Sequence, residues 1–223
     1  MRQKAKDVAI QRGNYLLRKY GVSPKVLGWV KNEQDVRLKA LTEIGEMRGS
    51  RILDVGCGFG GLISYLNKLN REPLSYCGVD INQSFIDIAR KRHAQEENVS
   101  FLCKDIQESP VKRAYDWVLS CGVFNPKSYV DRAFIVRMLT RMYNICSKGV
   151  AIDFISSYVG YRNKSLFYVH PEWIFTIAKS LSKRVVLRHD YMPYEFCIYI
   201  YKNQPVSYRN CFEEEDDLCA CVL

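Results

Sequence analysis

An apolar run that ends in an acid and a valine, Ile52-Leu53-Asp54-Val55, passes straight into Gly56-Cys57-Gly58-Phe59-Gly60-Gly61, and a helical stretch from Leu62 to Leu69 follows. No other feature of the 223 residues restricts the fold as strongly. Glycines tolerate positive φ and let backbone approach a ligand closely, so a strand, a tight loop and a helix N-terminus are expected in that order. Gly56, Gly58 and Gly61 also satisfy G-x-G-x-x-G, a spacing used by dinucleotide sites. The glycines alone therefore do not choose among ligands.

The flanking pattern extends this unit into a sheet. Up to about Gly49 the apolar spacing is helical, with Leu38, Leu41 and Ile44 at three-residue steps and Ser23-Pro24 as a helix start. Beyond it, strand-like runs at 51–55, 76–81, 99–106, 117–121 and 150–155 alternate with helical stretches at 62–69, 84–93, 130–146 and 172–181. Such alternation implies right-handed crossovers and a mostly parallel sheet covered on both faces. The last two runs, 184–188 and 196–201, are too close together for a helical crossover and should pair antiparallel. The expected fold is α/β: a doubly wound, Rossmann-like sheet of seven strands with the last one antiparallel. Residues 1–49 are expected to form an N-terminal helical cap and 50–203 the α/β domain, with 204–223 a disordered acidic, cysteine-containing tail.

Three acids narrow the ligand. Asp54 precedes the glycines, where a carboxylate orients the loop and suits a cationic amino group better than a pyrophosphate. Asp80 ends the second strand, placed for two ribose hydroxyls, and Asp105 ends the third, placed for an adenine amino group. Carboxyl ends of successive strands converge on the crevice where open α/β sheets bind ligands.

With these residues the sequence resembles the class I methyltransferases that use S-adenosylmethionine, along about residues 51–202, including the reversed terminal strand that dinucleotide dehydrogenases lack. The resemblance implies S-adenosylmethionine as cofactor. Gly56, Cys57, Gly58 and Gly60 would wrap its methionine part, Asp80 and Ile81 would hold the ribose, and Asp105 with Ile106 would flank the adenine. Cys121 and Gly122 would follow the fourth strand beside the methionine. Arg37, with Gln34, is either a contact to the cofactor carboxylate or part of a solvated helix face. The segments 19–29 and 187–191 also look like a small group of stand-alone microbial methyltransferases.

The acceptor end is expected on the loops after strands four, five and six and on the N-terminal helices, with Tyr20, Trp29, Asn125, Tyr158, Tyr161 and Tyr194 as substrate-binding candidates. His189 and Tyr191 are the catalytic candidates, His189 being either a general base or an imidazole satisfied by neighbouring backbone. Asn125-Pro126 is followed by Lys127, where amino-methylating enzymes carry a second proline, so that motif is broken. A small-molecule acceptor methylated on N or O is the first expectation. RNA or protein as substrate, or a non-catalytic sensor or partner subunit, are the alternatives.

Composition supplies bounds. With 48% hydrophobic residues a packed core is expected. The 33 basic residues outnumber 24 acidic ones, and 213–217 is an acidic run whose removal leaves a body of about +14, suited to acidic partners or a solvated basic surface. Nucleic acid is thus possible but not favoured. Three scattered histidines and cysteines without C-x-x-C spacing predict no metal site, and cysteines set in apolar runs predict reduced thiols. No run reaches the ~18 apolar residues of a membrane helix, so a cytoplasmic protein without membrane contact is expected.

Overall fold

The computed structural model describes residues 3–28, 33–108 and 115–202. Trp29 and the 204–223 tail lie outside them. Helix α1 (Gln3–Tyr20), a 3-10 turn (Pro24–Leu27) and α2 (Glu33–Thr42) precede the sheet. Then come β1 (Arg51–Val55), α3 (Gly61–Lys68), β2 (Ser75–Asp80), α4 (Gln83–Arg92), β3 (Val99–Cys103) and β4 (Tyr115–Ser120). The chain continues with α5 (Arg132–Ile145), β5 (Cys146–Ile155), α6 (Pro171–Leu181), β6 (Val185–Met192) and β7 (Glu195–Tyr201). The strands run in the order β3-β2-β1-β4-β5-β7-β6. All pairs are parallel except those of β7, which runs antiparallel to β5 and β6.

Alternation along each strand divides the core into two layers. Leu53, Val55, Val118, Val150 and Ile152 meet α5 and α6 on one face. Ile52, Tyr76, Leu119 and Ala151 meet α2, α3 and α4 on the other. Leu38, Leu41, Ile44 and Met47 belong to the second cluster, so α2 is packed into the α/β body itself. Among the described residues no helix is long and apolar enough to cross a membrane.

Differences from the sequence expectation follow local chemistry. Ser23-Pro24 starts only one 3-10 turn, because Gly28 stops it in the left-handed region at φ 83°. Strand β3 stops at Cys103, leaving Asp105 just beyond it. Strand β6 runs on to Met192, so 189–195 is not a loop: it is two strand ends joined across Pro193 and Tyr194. A register shift between Arg188 and Met192 absorbs the irregular stretch.

Candidate functional site

A cavity of about 570 Å³ opens at the carboxyl ends of β1, β2 and β4, and α1, the 3-10 turn and α2 close it from above. Its size lies within the roughly 300–1,000 Å³ of small-molecule and cofactor sites. Asp54, Gly56, Cys57, Asp80, Ile81, Asp105, Ile106, Cys121, Arg37, Tyr20 and Asn125 all line it. Gly58 and Gly60 shape the loop without lining the cavity.

Gly56 (φ 76°) and Gly58 (φ 54°) need the freedom expected of them, and a Cβ on Gly56 would stand 2.1 Å from Val123 Cγ2. The loop is pinned by β2: the N–H groups of Gly56 and Cys57 donate to the Val79 carbonyl at 2.7 and 3.1 Å. The Gly58 N–H donates to Asp80 Oδ2 at 3.1 Å, and Asn82 N–H donates to Oδ1 at 2.9 Å. Each oxygen keeps capacity for a further donor. Burial pushes the Asp80 carboxyl up, against the pull of those backbone donors.

Asp54 accepts the Tyr76 hydroxyl at 2.6 Å. Burial raises its carboxyl to about 7, the Tyr76 bond pulling down and Asp80 adding to the rise. Asp105 pairs with Lys6 of α1 at 3.1 Å, and Lys6 also meets Glu108 at 2.5 Å, so α1 is fastened above the third acid.

Arg37 is not on a solvated helix face. It is 3% exposed and donates from Nε to Asp153 Oδ2 at 2.7 Å, while the same Nε lies 2.6 Å from Glu195 Oε2. Burial alone disfavours its charge, but Asp153, Cys121 and Glu195 hold it above the usual guanidinium range. Asp153, fully buried on β5, also accepts the Gly122 N–H at 2.7 Å and the Cys121 thiol at 3.4 Å. One carboxylate thus ties α2, the segment after β4 and β5 together. Neither Asp153 nor Glu195 was singled out by pattern, although a lone acid inside the apolar run Val150 to Ile155 is the kind of residue that demands a buried partner. Tyr129, also unforeseen, lines the cavity; burial, with Asp80, raises its hydroxyl.

The other expected residues lie elsewhere. His189 packs between Tyr158 and Phe196, with ring centroids at 6.4 and 5.9 Å, and lines a separate cavity of about 500 Å³ with Tyr158, Glu172, Phe175 and Leu187. Residues 187 and 189 share the strand face that meets α6, which carries His189 away from the ligand cavity. Tyr191, within the register shift, packs on the α2 side, and its buried hydroxyl has no hydrogen-bond partner among the described residues. It does not line the cavity, and neither do Tyr158, Tyr161 and Tyr194, which are 58%, 84% and 57% exposed.

Clustered acids, with the Asp54 and Asp80 carboxyls raised by burial, disfavour a pyrophosphate and fit a ligand that brings cationic groups and hydroxyl donors. S-adenosylmethionine has both. Asn125 Oδ1, buried on the cavity lining with no hydrogen-bond partner among the described residues, can accept one more donor.

Comparison with known proteins agrees with this geometry. The family model described as "Methyltransferase domain" matches residues 52–149. The Rv1506c protein of Mycobacterium tuberculosis, named as a methyltransferase, is 29% identical over 158 residues, 68% of this chain and 92% of that protein. The ubiquinone biosynthesis O-methyltransferase of Coxiella burnetii is 40% identical over 74 residues, 32% of this chain and 30% of its own length. Among solved structures, the magnesium protoporphyrin IX methyltransferase of Synechocystis PCC 6803 with bound SAH superposes with a TM-score of 0.64 at 15% identity, over 89% of this chain and 100% of that one. The domain match spans β1, β2 and β4, whose carboxyl ends build the cavity, and the strand order is that of the class I methyltransferase fold: the chain carries a methyltransferase domain with the fold of the class I S-adenosylmethionine-dependent enzymes.

Proposed function

We propose that this methyltransferase acts on an oxygen atom of a small, largely apolar molecule. The observation that carries the reading is the apolar part of the cavity lining, where Met138, Ile155 and Leu166 line the same space as Asn125 and Glu195. A relative that is an O-methyltransferase favours oxygen. When bound, S-adenosylmethionine supplies an electrophilic methyl group on a sulfonium. In this reading Asp80 holds the ribose, Asp105 and Ile106 border the adenine, and Asp54 faces the amino group. The protein then contributes mainly alignment, which can supply up to about 7–11 kcal/mol. The apolar wall excludes water from the acceptor.

Methyl-labelled cofactor incubated with a panel of phenols, carboxylic acids, amines, RNA and protein tests the reading. Label extracted into organic solvent from the phenols or acids is the expected result. Label retained in RNA or protein, or on the amines alone, contradicts it.

A further inference from the structure

Glu195 opens β7 opposite Ile155, the last residue of β5, and both line the cavity. Its Oε2 lies 2.6 Å from Arg37 Nε and accepts no hydrogen bond from the described residues. The charged and titratable groups that face it are Arg37 and Glu33 on α2, Asp153 on β5, Tyr191 on β6 and Cys121 after β4. One buried guanidinium therefore answers two buried carboxylates, with Glu33 adding further negative charge. Burial raises the Tyr191 hydroxyl and the Cys121 thiol, which stay neutral. The missing positive charge is met by a proton: burial, with Asp153 and Glu33, outweighs Arg37 and holds the Glu195 carboxyl at about 8.

The two forms of the cofactor differ by one charge at this end of the cavity. S-adenosylmethionine carries a sulfonium and an ammonium against one carboxylate, whereas S-adenosylhomocysteine has lost the sulfonium. Cys121 and Gly122, which share the wall with Glu195, are the residues expected beside the methionine part.

We propose that Glu195 is the catalytic proton acceptor of the transfer, and that it releases its own proton when the sulfonium of the methyl donor enters the cavity. The proposal rests on the methyltransferase assignment. In the transfer step the acceptor oxygen bonds the methyl carbon, the carbon–sulfur electron pair stays on sulfur, and Glu195 takes the hydroxyl proton. With the sulfonium consumed, Glu195 stays protonated until the next donor molecule expels that proton to solvent. A carboxylate is thus generated only when there is a methyl group to transfer.

Binding calorimetry near pH 7, in buffers of unlike ionisation enthalpy, counts the protons released. The wild type should release up to about one proton more with S-adenosylmethionine than with S-adenosylhomocysteine. Asp54 answers the ammonium, which both ligands carry, and drops out of the difference. Glu195→Gln should abolish the excess. Infrared difference spectra of the wild type give a readout that needs no variant: the protonated-carboxyl band should be weaker with the sulfonium ligand than with its product. Equal release for both ligands in the wild type, or an excess that persists in Glu195→Gln, overturns the proposal. No acceptor is present in these measurements, so a panel without transfer would count against the proposed acceptor class and leave this result standing.

Discussion

The Tyr76 hydroxyl donates to Asp54 Oδ2 at 2.6 Å from the neighbouring strand, so the acid that precedes the glycine loop has one fixed donor and a carboxyl raised to about 7. That bond restrains a rise which burial would otherwise carry further.

A cationic amino group binds the ionised form of Asp54. Affinity for S-adenosylhomocysteine should therefore climb as pH rises through about 7 and level off above it, and Tyr76→Phe should move the climb to higher pH. Folding shows the opposite slope. The folded carboxyl holds its proton between the ordinary value of 3.8 and about 7, so its contribution to stability declines as pH rises across that window. Asp54→Asn should flatten both profiles in calorimetric and denaturant titrations from pH 5 to 9.

Removing Asp153 strands a buried guanidinium. Asp153→Ala should lower unfolding free energy by about 3–5 kcal/mol, the usual cost of breaking a buried pair. It should also free the Gly122 N–H that lines the cavity. Urea denaturation at neutral pH checks the magnitude, and a loss below about 1 kcal/mol would show that Glu195 alone suffices for Arg37.

Lys6 fastens α1 over Asp105 and Glu108. Lys6→Met should shorten the residence time of S-adenosylhomocysteine by about tenfold, the equivalent of about 1.4 kcal/mol, with little change in unfolding midpoint. Stopped-flow displacement with excess ligand reads the rate.

His189→Ala should leave cofactor affinity unchanged and methyl transfer within about twofold, because the ring lines the α6-side cavity. A loss of 10²-fold or more with intact folding would restore His189 as a general base.

The seven strands, the reversed last one and the positions of Asp54, Asp80 and Asp105 were legible because each follows from local signals: apolar runs, glycines, an acid at a strand end and a connection too short for a crossover. What escaped depends on contacts between residues far apart in the chain. Arg37 and Asp153 are 116 positions apart, and nothing in either segment declares the other. His189 and Tyr191 were misplaced for a related reason. A register shift on edge strand β6 decides which face each side chain takes, and such a shift has no signature in a short apolar run. Tyr20 and Asn125 were found at the cavity because they lie on segments that the strand order itself brings there.

Calorimetric titration of the wild type and Asp80→Asn with S-adenosylhomocysteine and with NAD tests the central claim most directly. The wild type should bind S-adenosylhomocysteine and ignore NAD. In Asp80→Asn the affinity should fall by about 2 kcal/mol, roughly 30-fold, from weakened hydrogen bonds to a charged group. Binding of NAD in preference to S-adenosylhomocysteine, or an affinity indifferent to Asp80, would contradict the account.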